Sequence, residues 1–95
     1  MGFDRDSATS AAKRDIARRL GVSEAEVSVS SVSEKDFPDM SLGAPENGEM
    51  SAQMISTGWE IKVGAAGKTY EYRADKYQLR LKGFEGRNHL VKAYF

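Results

Sequence analysis

Apolar residues near the start of the chain recur every four positions. Ala8, Ala12, Ile16 and Leu20 fall on one stripe while Lys13, Arg14 and Asp15 face elsewhere, and this spacing predicts an amphipathic helix. Asp6 or Ser7 suits the N-cap and Gly21 suits a left-handed residue after the last turn, which places the helix at residues 7–20. Arg18 and Arg19 complement the negative end of its dipole, which explains them without a phosphate ligand. Ser23-Glu24-Ala25-Glu26 has the form of a capping box and predicts one tight turn before the chain extends.

The period then shortens to two. Val27, Val29 and Val32 predict a strand at 27–33, with a change of parity at Ser30-Ser31 that marks a bulge or a switch of face. A second strand, 54–63, contains the alternation Trp59-Glu60-Ile61-Lys62-Val63. Gly64-Ala65-Ala66-Gly67 turns the chain into a third strand, 69–74, and Asp75-Lys76 turns it into a fourth, 77–82. Pairing Val63 with Tyr70 sets Glu60 against Arg73 and Lys62 against Glu71, both opposite charges. Pairing Ala74 with Tyr77 sets Glu71 beside Arg80 and Tyr72 beside Leu79. Trp59, Tyr70, Tyr72 and Tyr77 then turn toward the apolar face. The expected architecture is α+β: one N-terminal helix on a four-stranded antiparallel meander. Its expected core is Ala12, Ile16, Leu20, Val27, Val29, Trp59, Ile61, Val63, Tyr70, Tyr72, Leu79 and Leu81. Residues 83–95 follow a glycine break as a C-terminal tail whose Leu90, Val91, Tyr94 and Phe95 are too apolar to remain free, so the tail is expected to dock on the domain or on a second copy.

Between the first two strands the periodicity vanishes. Pro38, Gly43, Pro45 and Gly48 interrupt it, and Glu34, Asp36, Asp39, Glu46 and Glu49 face a single lysine, Lys35. A connection this long is usually functional or disordered. Phe37, Met40 and Leu42 argue for order, with Phe37 and Leu42 as buried anchors and Asp39 and Glu46 exposed.

A chain of 95 residues fits a single domain, 1–95, with one core. It has no cysteine, so neither a disulfide framework nor a thiolate metal site is available. No apolar run approaches the ~18–20 residues that cross a bilayer, and the first ten residues are polar where a secretory leader is apolar, so a cytoplasmic setting without membrane contact is expected. The formal charge is zero, but residues 1–50 hold 6 Lys/Arg against 10 Asp/Glu and residues 51–95 hold 8 against 4. In a folded domain the halves can neutralise each other.

The residues offer little chemistry. His89 is the only histidine, and no H-E-x-x-H, Walker, G-x-G-x-x-G or G-x-S-x-G motif occurs. No enzyme and no cofactor are expected. Asp36, Asp39, Glu46 and Glu49 supply oxygen ligands, but their spacing matches no EF-hand loop and no metal is assigned. A sheet face bearing Lys62, Arg73, Arg80 and Lys82 is a candidate for tracking phosphates, although the aromatics needed for stacking turn to the other face.

Phe37-Pro38-Asp39-Met40-Ser41-Leu42-Gly43-Ala44-Pro45, followed by Gly48, Gln53 and Gly58-Trp59, resembles a group of small, mostly uncharacterised bacterial domains. Their pattern is Trp-Pro-Asp-x-Ser-Leu-Gly-Cys-Pro, then Pro-Gly, a Gln, and Gly-Tyr before an alternating strand. The likeness covers about residues 8–82. Phe37, Ala44, Asn47 and Trp59 depart from the pattern, and Ala44 removes the cysteine on which a disulfide, or the exported setting implied by such relatives, would rest. Helix followed by meander is also similar in layout to PepSY-like and cystatin-like domains. The resemblance implies a fold but no activity. The expected function is a protein- or peptide-binding module using the 37–50 loop through Phe37, Asp39, Ser41, Leu42, Glu46 and Glu49, acting as a monomer or weak dimer. The alternatives are a protease-inhibitor-like use of the loop and nucleic-acid binding by the basic face, the latter not expected near physiological salt.

Overall fold

Asp4 begins the first regular element: its carboxylate accepts the Ser7 N–H at 2.7 Å, and the Ser7 hydroxyl accepts the Asp4 N–H in return. In the computed structural model, which describes residues 2–95, this capping box starts helix α1, Arg5–Leu20, two or three residues earlier than a cap at Asp6 or Ser7 would. Gly21 ends it in the left-handed conformation, φ 69°, and Ser23 caps a single 3-10 turn, Glu24–Glu26. Five strands follow: β1, Ser28–Phe37; β2, Ser56–Ala65; β3, Lys68–Ala74; β4, Gln78–Phe84; and β5, Arg87–Ala93. They form one antiparallel sheet in the order β1-β2-β3-β4-β5.

The expected tail is therefore a fifth strand, where four were expected. A two-residue turn, Glu85-Gly86 with φ of 54° and 78°, reverses the chain just as Ala66-Gly67 does between β2 and β3 with 52° and 78°. Both turns have the twist that right-handed strands need for a tight hairpin. The first hairpin has the expected register, Glu60 opposite Arg73 and Lys62 opposite Glu71, and β1 is bulged between Val29 and Ser31 as its parity change required. The second hairpin does not have the expected register. Ala74 faces Leu79, so Glu71 lies opposite Lys82 and Arg73 opposite Arg80. The cause is Asp75, whose carboxylate accepts the N–H groups of Tyr77 and Gln78 at 2.8 and 3.0 Å and holds a wider turn. Tyr77 consequently sits in the turn, 49% exposed, rather than facing the core.

One sheet face carries α1. Ala8, Ala12 and Ile16 are fully buried against Ile61, Val63, Tyr72, Leu79 and Leu81. Of the other expected core residues, Leu20, Trp59 and Tyr70 are partly buried at its margin, and Val29 is 41% exposed because it lies on the unpartnered edge before the bulge. Phe3 joins the core unexpectedly: its N–H is bonded to the Lys76 carbonyl and its ring meets Tyr94 edge to face at 5.1 Å. A polar knot lies beneath the helix. Asp15, 2% exposed, accepts the Tyr72 hydroxyl at 2.7 Å and the guanidinium groups of Arg18 and Arg19 at 3.0 and 2.7 Å. Burial first, and the Asp15 hydrogen bond second, push the Tyr72 phenol far up, so it stays protonated.

Tyr72→Phe deletes one hydrogen bond to a buried carboxylate without changing the apolar packing. Urea denaturation is expected to show a loss of about 1–3 kcal/mol with an unchanged slope; a loss within ~0.5 kcal/mol would mean that Asp15 is satisfied by the arginines alone.

Candidate functional site

Residues 38–55, the strap, leave β1 at Phe37 and rejoin the sheet at β2. Tyr72 and Leu81 point into the helical core, so Arg73 and Arg80, one position away on the same strands, point to the opposite face. The strap lies across that face. Phe37 is fully buried there with the Arg73 guanidinium 5.4 Å from its ring centre, and Leu42 and Ala44 are fully buried beyond it.

Four sheet side chains hold the strap by its backbone. The Gln78 amide donates to the Met40 carbonyl at 2.6 Å, Arg73 Nη1 to Leu42 at 2.9 Å, Arg80 Nη1 to Ala44 at 3.2 Å, and the Asn88 amide to Pro45 at 3.0 Å. The contacts move from β3 and β4 to β5 as the strap advances, so it spans much of the width of the sheet. Glu46 and Glu49 then fasten its far end. Glu46 accepts the Leu90 N–H at 3.0 Å, and Glu49 grips both terminal nitrogens of Arg80 at 2.5 and 2.6 Å, with Gln78 accepting from Arg80 Nε at 2.7 Å. This two-oxygen grip keeps a guanidinium that is 1% exposed from being buried without a counter-charge.

Within the strap, Asp39 accepts the Ser41 hydroxyl at 2.7 Å and the N–H groups of Ser41 and Gly43 at 3.0 Å each. Its carboxyl is held below the ordinary range, mainly by the Ser41 hydroxyl and the Gly43 N–H; Glu49 is held down mainly by Arg80. Leu42 has φ 58°, an uncommon conformation for a bulky residue, stabilised here by its buried side chain and its carbonyl bond to Arg73. At Gly43, φ 67°, a Cβ would stand 2.6 Å from Arg73 Nη1, so a larger residue would displace the guanidinium.

Of the expected binding residues, Phe37, Ser41 and Leu42 are at most 1% exposed and act as anchors rather than contacts. Asp39, expected to be exposed, is half-buried and internally bonded. Glu46 is exposed, but one oxygen is engaged by Leu90. The basic face is not displayed as expected either. Arg73 and Arg80 are 8% and 1% exposed beneath the strap, Lys62 lies 3.9 Å from Glu60, and only Lys82 of the four is exposed. The acidic residues also go separate ways, Asp36 to Thr57 at 2.6 Å and the others as above. Among the described residues no three metal-ligating side chains converge.

A different surface emerges. A groove of about 370 Å³ runs between the outer limb of the strap and the start of β4, with Met40, Met50, Tyr77 and Phe95 as its apolar lining and Arg80 and Glu49 among its polar lining. Met50 is 95% and Phe95 79% exposed, and Met54 and Ile55, next along the strap, are 63% and 74% exposed. Met54 and Ile55, expected at the start of the second strand, precede β2, which begins at Ser56, and so lie on the strap with their side chains exposed.

A family model described as a domain of unknown function, DUF8738, matches residues 9–81. The chain belongs to that family. No curated protein and no solved structure matches it. The DUF8738 match takes in residues 9–20 of α1, the whole strap and Arg80, and it includes Met40, Met50 and Tyr77 of the groove while Phe95 lies beyond it.

Arg80→Met should cost about 2–4 kcal/mol in denaturant unfolding, because it removes the charge that meets Glu49 and the donors that meet Ala44 and Gln78. Acid tests the strap separately. Asp39 and Glu49 have folded-state values below their ordinary 3.8 and 4.5, so their contribution is complete above those ordinary values and is lost as the pH falls through the lowered ones. NMR order parameters for residues 39–49 should fall between neutral pH and about pH 2.5 while those of α1 hold; a strap as rigid as α1 in acid would assign its order to Phe37, Leu42 and the carbonyl bonds from Gln78, Arg73, Arg80 and Asn88, not to the two carboxylates.

Proposed function

We propose that this domain is a non-enzymatic protein- or peptide-binding module whose contact surface is the groove beside the strap. The observation that supports this is the concentration of exposed apolar side chains, Met50, Met54, Ile55, Tyr77 and Phe95, at one groove and the limb leading from it. A small soluble domain rarely leaves such a patch open without a use for it. The strap is already ordered by its bonds to the sheet, so a partner meets a prepared wall and the entropy cost of association falls. Methionines suit the site because their flexible, polarisable side chains adapt to varied apolar partners. The polar lining favours binding over catalysis, since Arg80 and Glu49 are consumed in their own ion pair.

The strap builds the site, and its outer limb and Tyr77 contact the partner. A protease-inhibitor-like use is less well supported, because an inhibitory loop stands clear of its scaffold whereas the carbonyls of Met40, Leu42, Ala44 and Pro45 are bonded to the sheet. Nucleic-acid binding loses the two buried arginines of its proposed surface.

Selection of displayed peptides on the intact chain tests the proposal. Enriched peptides should share an apolar anchor, shift the amides of Met40, Met50, Tyr77 and Phe95, and lose roughly tenfold or more in affinity to Met50→Asp with the melting temperature unchanged. Failure to enrich, or shifts confined to other surfaces, would refute it.

A further inference from the structure

A second recess lies on the other side of the sheet and shares no lining residue with the groove. It occupies about 260 Å³ between α1 and β5, with Phe3, Val91 and Tyr94 as apolar lining and Arg14, Arg18 and Lys92 as cations. The volume is just below that of ordinary small-molecule sites, ~300–1,000 Å³. Asp15 is the one carboxylate that borders it. Both Asp15 oxygens are already used, Oδ1 by Arg18 and Oδ2 by Arg19 and the Tyr72 hydroxyl. Among the described residues Arg14 and Lys92 have no ion pair, and Arg18 keeps 79% of its side chain in solvent. The recess is therefore cationic, with no carboxylate of its own to spare.

We propose that this recess binds a small organic acid consisting of one ring or branched apolar group that carries a carboxylate. Arg14 and Arg18 stand one helical turn apart on α1, where like charges repel and a bound anion relieves the repulsion, and Asp15 engages only Nη2 of Arg18, leaving its other donors open. Their planar guanidinium groups match a carboxylate in shape and hydrogen-bonding direction. The C-terminal dipole of α1, which opposes an anion, is countered by Arg18 and Arg19. Tyr94 and Phe3, in edge-to-face contact at 5.1 Å, offer the apolar part of the ligand an aromatic wall, and the Lys92 ammonium lies 5.3 Å from the Tyr94 ring centre as the third cation. Inorganic phosphate would satisfy the cations and leave that wall unused. The acid can be a free metabolite-sized molecule or the terminal carboxylate of a peptide ending in an apolar residue, since both present the same chemistry.

Titration of the intact ¹⁵N-labelled chain with phenylacetate, phenylacetamide, inorganic phosphate and N-acetyl-glycyl-phenylalanine decides the matter. Phenylacetate or the dipeptide acid should shift amides in residues 11–18 and 91–94 saturably, and leave those of Met40 and Met50 in place. Phenylacetamide and phosphate should bind at least roughly tenfold more weakly. The tighter of the two acids assigns the source of the carboxylate. Arg14→Glu and, independently, Lys92→Gln should each weaken the acid, roughly tenfold for the charge reversal, with an unchanged melting temperature. Absence of saturable shifts with either acid, equal binding of the amide or of phosphate, or indifference to both substitutions would overturn the proposal.

Discussion

Arg80 is a cation in a place that water does not reach, and much of the strap face is arranged around that fact. A buried guanidinium needs a counter-charge and acceptors for its donors. Glu49 supplies the first, and Gln78 and the Ala44 carbonyl supply the second. Because Glu49 and Ala44 belong to the strap, satisfying Arg80 brings the strap down on the sheet. Phe37 and Leu42 are then sealed, Met40 and Met50 are held on one side of a groove, and Tyr77 faces them from the other.

The sheet is thus anchored from both sides by polar groups that its apolar layers enclose. Tyr72 reaches Asp15 of the helix through one face, and Arg73 and Arg80 reach the strap through the other. Arg73 and Arg80 are direct cross-strand neighbours, an arrangement that repels in isolation. Glu71 and Glu49 offset it, at 2.7 and 2.5 Å. The strap therefore contributes to the electrostatic balance of the β3–β4 pairing as well as covering it.

This coupling also explains which parts of the structure were legible in the sequence. Helix α1, the bulge at Ser30 and the β2–β3 register follow from periodicity and from the Glu60–Arg73 and Lys62–Glu71 charges, all local signals. The β3–β4 register was misplaced because charge complementarity argues against Arg73 facing Arg80 unless the acceptors on the strap are known, and because Asp75 widens the turn. Strand β5 was hidden by Gly83 and Gly86 and by the irregular pairing near Val91, which blurs its alternation. Order in the strap could be inferred from Phe37, Leu42 and the two prolines. Its position could not, since backbone carbonyls hold it and every residue type has one. The groove was missed for the same reason: its walls come from segments that only the placed strap brings together.

Attachment through carbonyls has a further consequence. The side chains of Pro45, Asn47 and Met50 are exposed, whereas the grip depends on Gln78, Arg73, Arg80 and Asn88 beneath them and on the Glu49 carboxylate. The crest of the strap is thus uncoupled from its own fastening. Pro45, Asn47 and Met50 can be diversified as a library with Glu46, Gly48 (φ 79°) and Glu49 retained, and the domain then becomes a cysteine-free frame for grafting new recognition segments.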